Sequence, residues 1–282
     1  MTAPEEASDQ PPPQPTHVFE GHCPVCETAT SFEAHGDWFR DLLLCRHCGS
    51  IPRERAFAMC LRMFRPRWRD DAIHESSPAP RAISARMGSE GQHYVGSHYY
   101  PDRPLGEEVE GFRNENLERL TFEDGSFDLH CHLDVMEHVG EPELCFREMS
   151  RTLRPGGQII FTTPIYGANA RTVRRARYGP DGVEHLAEPE YHGNPIDPGG
   201  ALVTFHYGRD LPDLIRSWTP EFSVCVVALN DASIGVLGEF REVLVCTKGG
   251  GPVPQEPSPD RESLLSRWAR HIRIINPLGD RP

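Results

Sequence analysis

The stretch from Ser126 to Pro164, SFDLHCHLDVMEHVGEPELCFREMSRTLRPGGQIIFTTP, leaves little freedom of fold. Phe127 to Leu133 alternates apolar and polar residues, as a buried strand ending at Asp134 would. Pro142 suits a first helical turn, where its missing N–H loses no hydrogen bond. Cys145, Phe146, Met149 and Leu153 follow at spacings of 1, 3 and 4, one apolar face for packing on a sheet. Pro155-Gly156-Gly157 predicts the helix stop, and QIIFTTP predicts a second buried strand. Strand, helix and strand at this spacing form a βαβ unit, so the expected fold is α/β with a parallel sheet.

The 282 residues are enough for one full α/β domain with additional pieces at both ends. A Pro-rich acidic leader is expected over 1–17 and a cysteine module over 18–50. A connecting helix is expected over 51–70, with Ala56, Met59, Cys60, Met63 and Phe64 on one side and arginines elsewhere. The α/β domain then runs over 71–248, followed by a Gly/Pro-rich linker at 249–260. An amphipathic helix is expected in 261–282, with Leu264, Leu265, Trp268 and Ile272 on a face that docks on the domain or on a second copy as a homodimer. The net charge of -13 disfavours a dedicated binder of long nucleic acid. No apolar run is long enough for a membrane helix and no signal-peptide pattern opens the chain, so a cytoplasmic location is the expectation. In that compartment the nine cysteines are read as thiols or metal ligands rather than disulfides.

Four of those cysteines have metal spacing. Cys23-Pro-Val-Cys26 and Cys45-Arg-His-Cys48 are two C-x-x-C pairs separated by 18 residues. Two such turns meeting across a hairpin supply the four soft donors of a tetrahedral Zn2+ site, a zinc ribbon. A closed four-cysteine site leaves no coordination position for chemistry, so its role is structural.

In wording as well as pattern, "SFDL…DVMEHV…REMSRTLRPGGQIIFTTP" closely resembles the fourth and fifth strands of class I S-adenosylmethionine-dependent methyltransferases of the type 11-like group. The resemblance extends over about 72–248 and implies a doubly wound, seven-stranded Rossmann-like sheet with S-adenosyl-L-methionine over the strands' carboxyl ends. The family's first strand usually leads from an acid into a glycine-rich turn. Here AIHESSPAPRAISARM stands in its place, so the resemblance puts Glu75, Ser76 and Ser77 at the cofactor without those glycines. The second strand, read over His93–Ser97, ends in no acid; Ser97, Tyr99 and Asp102 are the candidate ribose partners. Asn114 to Phe122 resembles the family's third strand and turn, placing Asn116 and Leu117 at the adenine. The resemblance puts Asp134 on the cleft floor, against cofactor and acceptor, with Glu137, His138 and Val139 opening the next helix. Phe222–Leu229 and Arg241–Thr247 would be the antiparallel pair that closes the sheet.

Some 45 residues, 165–209, separate the fifth strand from the next expected helix near Asp210. Ordinary connections are far shorter, so this insertion is read as a lid over the acceptor pocket. His185, Tyr191, His192, Asn194, His206 and Tyr207 concentrate hydrogen-bonding and proton-carrying groups there, and the segment resembles the "YHG(N/D)P…G" text of a bacterial zinc-ribbon methyltransferase subfamily. The gaps between His185, His192 and His206 match no tight chelating motif. The run Arg171 to Arg177 reads as a solvated helix face or a grip for an acidic acceptor. Asp134, His138, His192 and His206 are therefore the expected positioning and proton-transfer groups. The expected acceptor is a small molecule. RNA is the alternative, because Arg40 to Arg69 holds eight arginines against Asp41 and Glu54. A catalytically dead binding protein on the same scaffold is the third reading, favoured by the missing glycines alone.

Overall fold

The structure, a computed structural model, describes residues 14–194, 196–249 and the backbone of Ile272–Ile275. Strands β1 (His17–His22), β2 (Ala29–Ala34) and β3 (Leu44–Cys45) pair antiparallel, with the short α1 (Phe39–Leu42) before β3. Helix α2 (Pro52–Phe64) follows, and then β4 (Ala72–Ser76), α3 (Ala82–Glu90), β5 (His93–His98), β6 (Glu108–Val109) and β7 (Phe112–Asn114). Next come β8 (Phe127–Leu133), α4 (Pro142–Thr152) and β9 (Leu153–Thr162), the unit expected from the sequence. The insertion carries β10 (Val173–Arg174), β11 (Ala176–Gly179), β12 (Gly182–His185), β13 (Tyr191–His192), β14 (Ala201–Leu202) and β15 (Phe205–His206). Helix α5 (Leu211–Trp218), β16 (Phe222–Leu229), β17 (Val243–Lys248) and β18 (Ile272–Ile275) complete the described elements.

One nine-stranded sheet dominates, in the order β18-β16-β17-β9-β8-β4-β5-β7-β6. Its five central strands, β9-β8-β4-β5-β7, run parallel, and β17 and β16 close it antiparallel. The seven strands expected are all present, and each edge gains one short strand. One face packs Phe57, Met59 and Leu61 of α2 on Ile73, Leu129, Ile160 and Val245, and the other packs Phe146, Met149 and Ile215 on Ile159, Phe161 and Leu244. Cys23, Phe32 and Cys45 belong to the first of these cores, so the cysteine module and the sheet share one apolar interior.

The junction is tight. A Cβ on Gly235 would lie 2.5 Å from the Phe32 ring, and one on Gly21 would meet the Ser233 carbonyl at 2.0 Å. Arg55, expected on the outer side of its helix, is instead fully buried there. Its guanidinium donates to the carbonyls of Leu43, Ser50 and Gly235 and lies over the Phe32 ring. Burial lowers its pKa to about 10, still charged at neutral pH.

Several boundaries differ from the sequence reading. Helix α2 stops at Phe64, because Arg65 precedes a proline that disfavours helical backbone, and only a short turn follows at Trp68–Asp70. Helix α4 ends at Thr152, before the Pro-Gly-Gly, which instead forms an irregularity inside β9: Leu153 pairs with Phe127, but Gln158 pairs with Leu129. Val173–Arg174 and Ala176–Gly179 are strands, so the basic run is not a helix. Ile272–Ile275 pairs with β16 as a strand; there the exposed sheet edge overrides the helical spacing. Of the leader expected over 1–17, residues 1–13 lie outside the described residues and His17 already belongs to β1; the rest of the expected linker and C-terminal helix also lie outside them.

Candidate active site and cysteine centre

The two C-x-x-C turns bring four sulfurs together. One Sγ from each of Cys23, Cys26, Cys45 and Cys48 lies within 4.8 Å of the others, with Cys23 to Cys48 at 3.8 Å and Cys26 to Cys45 at 3.9 Å. The turns are matched beyond their cysteines. Each is followed by a left-handed residue, Glu27 (φ 59°) or Gly49 (φ 68°), and then by a hydroxyl beside sulfur. Thr28 Oγ1 lies 3.1 Å from Cys26 Sγ, and Ser50 Oγ lies 3.2 Å from Cys48 Sγ. Four sulfurs, two of them with neighbouring hydroxyls, fit a tetrahedral thiophilic ion.

At the carboxyl ends of the central strands, the residues expected at a cofactor have varied surroundings. Glu75 is buried and accepts from Ser84 Oγ (2.5 Å) and Tyr94 Oη (2.8 Å), while burial raises its pKa to about 7. Ser76 is buried; Ser77 has φ 55°, the left-handed backbone that a glycine would ordinarily provide. Ser97 is committed inward, 2.8 Å from His74 Nε2. Asn116 Oδ1 accepts from the Glu118 amide in a tight turn, and Leu117 is buried beside it. Tyr100 Oη and Arg40 Nε are buried without a hydrogen-bond partner among the described residues. A left-handed turn after β4 and unpaired polar atoms past β5 and near Asp134 fit a polar cofactor across these strand ends.

Asp134 has a left-handed backbone (φ 53°) and both its oxygens are engaged. Oδ1 accepts from Thr162 Oγ1 at 2.8 Å, and Oδ2 lies 2.6 Å from Arg40 Nη2 and 2.9 Å from Arg53 Nε. The cysteine module through Arg40 and helix α2 through Arg53 thus reach Asp134, a role the sequence reading did not give these two arginines of its basic stretch. Among the other arginines of this stretch, Arg46, Arg62, Arg65 and Arg69 pair with Glu33, Glu27, Asp71 and Glu90.

The insertion docks on the turn after β8. Thr204 N donates to Glu137 O, Thr204 Oγ1 to Val139 O, and the buried Tyr207 Oη to Met136 O. This brings His192 and His206 to Glu137 and His138. His138 Nδ1 donates to Leu202 O at 2.9 Å, and burial lowers its pKa to about 4, so the ring is neutral. Glu137 is buried and accepts from Thr163 Oγ1 at 2.9 Å; desolvation, reinforced by Asp134, pushes its carboxyl above the ordinary range. Glu190 bridges the two lid histidines, with Oε1 3.3 Å from His192 Nε2 and Oε2 2.8 Å from His206 Nε2. Burial alone would raise Glu190, but His206, His192 and Arg175 together outweigh it and lower the carboxyl's pKa. His206 also stacks on Tyr166, with centroids 4.1 Å apart. His185 lies in the exposed β11–β12 hairpin, and Tyr191 is exposed. Glu190 was missed in sequence; its only signal is its place beside Tyr191-His192.

Residues 89–161 match the family model for the methyltransferase domain. This segment is similar to a methyltransferase domain. The chain is 30% identical over 120 residues to sarcosine/dimethylglycine N-methyltransferase of Halorhodospira halochloris, a match over 36% of this chain and 40% of that protein's length. An S-adenosylmethionine-dependent methyltransferase structure from Mesorhizobium loti is similar at 17% identity and TM-score 0.45, over 68% of this chain and 97% of that one. The Burkholderia thailandensis 1,6-didemethyltoxoflavin-N1-methyltransferase is similar at 12% identity and TM-score 0.44, over 70% and 79% of the two chains. The matched residues hold β5 to nearly all of β9, and therefore Asp134, Glu137 and His138.

Proposed function

We propose that this protein is an S-adenosylmethionine-dependent methyltransferase acting on a small-molecule acceptor, with a structural Zn2+ held by Cys23, Cys26, Cys45 and Cys48. The observation that carries the proposal is the lid cluster of His138, His192, Glu190 and His206, set against a methyltransferase domain at the strand ends. S-adenosylmethionine, when bound, would supply an electrophilic methyl group on a sulfonium. The chain's part is to seat the acceptor about 3 Å from that carbon and to remove a proton from it.

Glu75, Ser76, Ser77, Asn116 and Leu117 would shape the cofactor cradle, with Ser77 supplying the left-handed turn. Asp134 has no free oxygen for proton removal; it ties Arg40 and Arg53 to the cleft floor. Glu190 orients His206, while burial, only partly opposed by the Glu190 hydrogen bond, lowers the ring's pKa and leaves it free to take the acceptor proton. The lid keeps water from the acceptor.

A relative named for sarcosine and dimethylglycine favours a small acceptor. So does the arginine-rich stretch, whose charges are largely spent on internal carboxylates rather than offered to a phosphate backbone. The test uses methyl-labelled S-adenosylmethionine with the zinc-loaded full chain, offered a small-metabolite fraction and, separately, RNA. Label is expected in small molecules, with S-adenosylhomocysteine released in equal amount. Label in RNA alone would overturn the acceptor class, and no transfer to either would overturn the activity.

A further inference from the structure

Glu137 Oε1 is a buried carboxylate oxygen with no hydrogen-bond partner among the described residues, while its sister oxygen is fixed by Thr163. Such an atom is costly to leave alone. Two imidazole nitrogens face it: His138 Nε2 at 3.8 Å and His192 Nδ1 at 3.9 Å. Both distances are too long for hydrogen bonds. One donor atom from each of the three residues falls within 4.8 Å of the others.

The far nitrogens explain what the near ones are for. His138 Nδ1 lies against the Leu202 carbonyl and His192 Nε2 against Glu190. A carbonyl and a carboxylate only accept, so those nitrogens carry the protons. His138 Nε2 and His192 Nδ1 therefore present lone pairs toward the same carboxylate oxygen. Lone pairs and a carboxylate repel one another unless a cation stands between them, and at 3.8 and 3.9 Å a proton on the oxygen would hydrogen-bond to neither nitrogen. A metal-bound histidine is usually held in this way, its other N–H given to a carbonyl or carboxylate.

We propose that Glu137 Oε1, His138 Nε2 and His192 Nδ1 bind a divalent cation of the manganese, iron, cobalt or zinc class. Two histidines and one carboxylate are a donor set for those ions, whose bonds to such ligands are roughly 2.0–2.2 Å. Three protein ligands leave coordination positions open, in contrast to the four-cysteine centre. The proposal deepens the methyl-transfer reading and rests on it for its purpose: an oxygen of the acceptor fills an open position and is thereby set beside His206. It also explains why the carboxylate comes from the domain and the second histidine from the lid. The ion closes the lid onto the strand ends.

The test titrates Mn2+ into the zinc-loaded full chain and follows free Mn2+ by electron paramagnetic resonance. Mn2+ is a hard ion and leaves the thiolate centre alone. One equivalent is expected to bind. Glu137→Gln and His192→Ala should each abolish that binding or weaken it more than tenfold, and Glu190→Gln should weaken it by about 10–100-fold, the effect of losing an outer partner. Saturable binding of equal affinity in Glu137→Gln and His192→Ala, or no saturable binding in the parent, overturns the site. Calorimetry with S-adenosylhomocysteine on the same samples separates the two readings. Its failure with Mn2+ binding intact would sink the methyl-transfer reading and leave the cation site standing.

Discussion

The cysteine centre and the lid cluster both bring metal-capable donors within 4.8 Å of one another, yet they are assembled in opposite ways. The cysteines come as two local turns, each complete with its left-handed residue and its hydroxyl, so each half is written in six consecutive residues. The lid cluster joins Glu137 and His138 to His192 across more than fifty residues, through contacts such as Thr204 to the Glu137 carbonyl. The first is closed by its own chemistry and buried in a shared core; the second is held by a lid and left incomplete. A centre of the first kind stabilises a fold, and one of the second kind handles a ligand.

The largest expected effect tests the structural half. Stripping the metal with a strong chelator should melt the module and the core it shares with the sheet, because structural zinc contributes on the order of 10 kcal/mol in small zinc folds. Circular dichroism should show a much lower melting temperature; an unchanged melt would make the cysteines mere buried thiols. The lid half is broken differently. His206→Ala should lower turnover by about 10²–10⁴ while the melt stays close to the parent's. Equal losses of stability and turnover would merge the two regions into one structural unit.

Burial without any metal also shifts a titration, and Glu75 isolates that effect. Its pKa rises from 4.5 to about 7 on folding, first through desolvation, with the Ser84 and Tyr94 hydrogen bonds opposing. Between those values the folded chain keeps a proton that the unfolded chain releases. Stability therefore falls as pH rises from 4.5 to 7 and levels off above it. Glu75→Gln should remove about 3 kcal/mol of this pH dependence, measured as the difference between parent and variant in urea melts at pH 5 and pH 8. A smaller effect sharpens the coupling of module and sheet: Gly235→Ala drives a Cβ into Phe32 and should cost about 1–3 kcal/mol, with no change in zinc content.

Where structure is local, the sequence is readable. The βαβ unit followed from period and punctuation, and the cysteine centre from two C-x-x-C turns. Ser77 shows the limit: its backbone is left-handed although it is not a glycine, so a search for glycines passes it by. Arg55 is another case, since only the fold brings three carbonyls together to satisfy a buried guanidinium. The lid was recognisable by its length and histidines, whereas Glu190's bridging role and the free oxygen of Glu137 depend on contacts between distant segments. Ile272–Ile275 carried a helical spacing, yet an open sheet edge recruits it as a strand.

The most direct measurement is calorimetry of S-adenosylhomocysteine against the zinc-loaded full chain. One molecule is expected to bind per chain, with the affinity retained in His206→Ala, because that residue serves the acceptor rather than the cofactor. Absence of binding in the parent chain would contradict the account, leaving a methyltransferase domain that no longer holds its methyl donor.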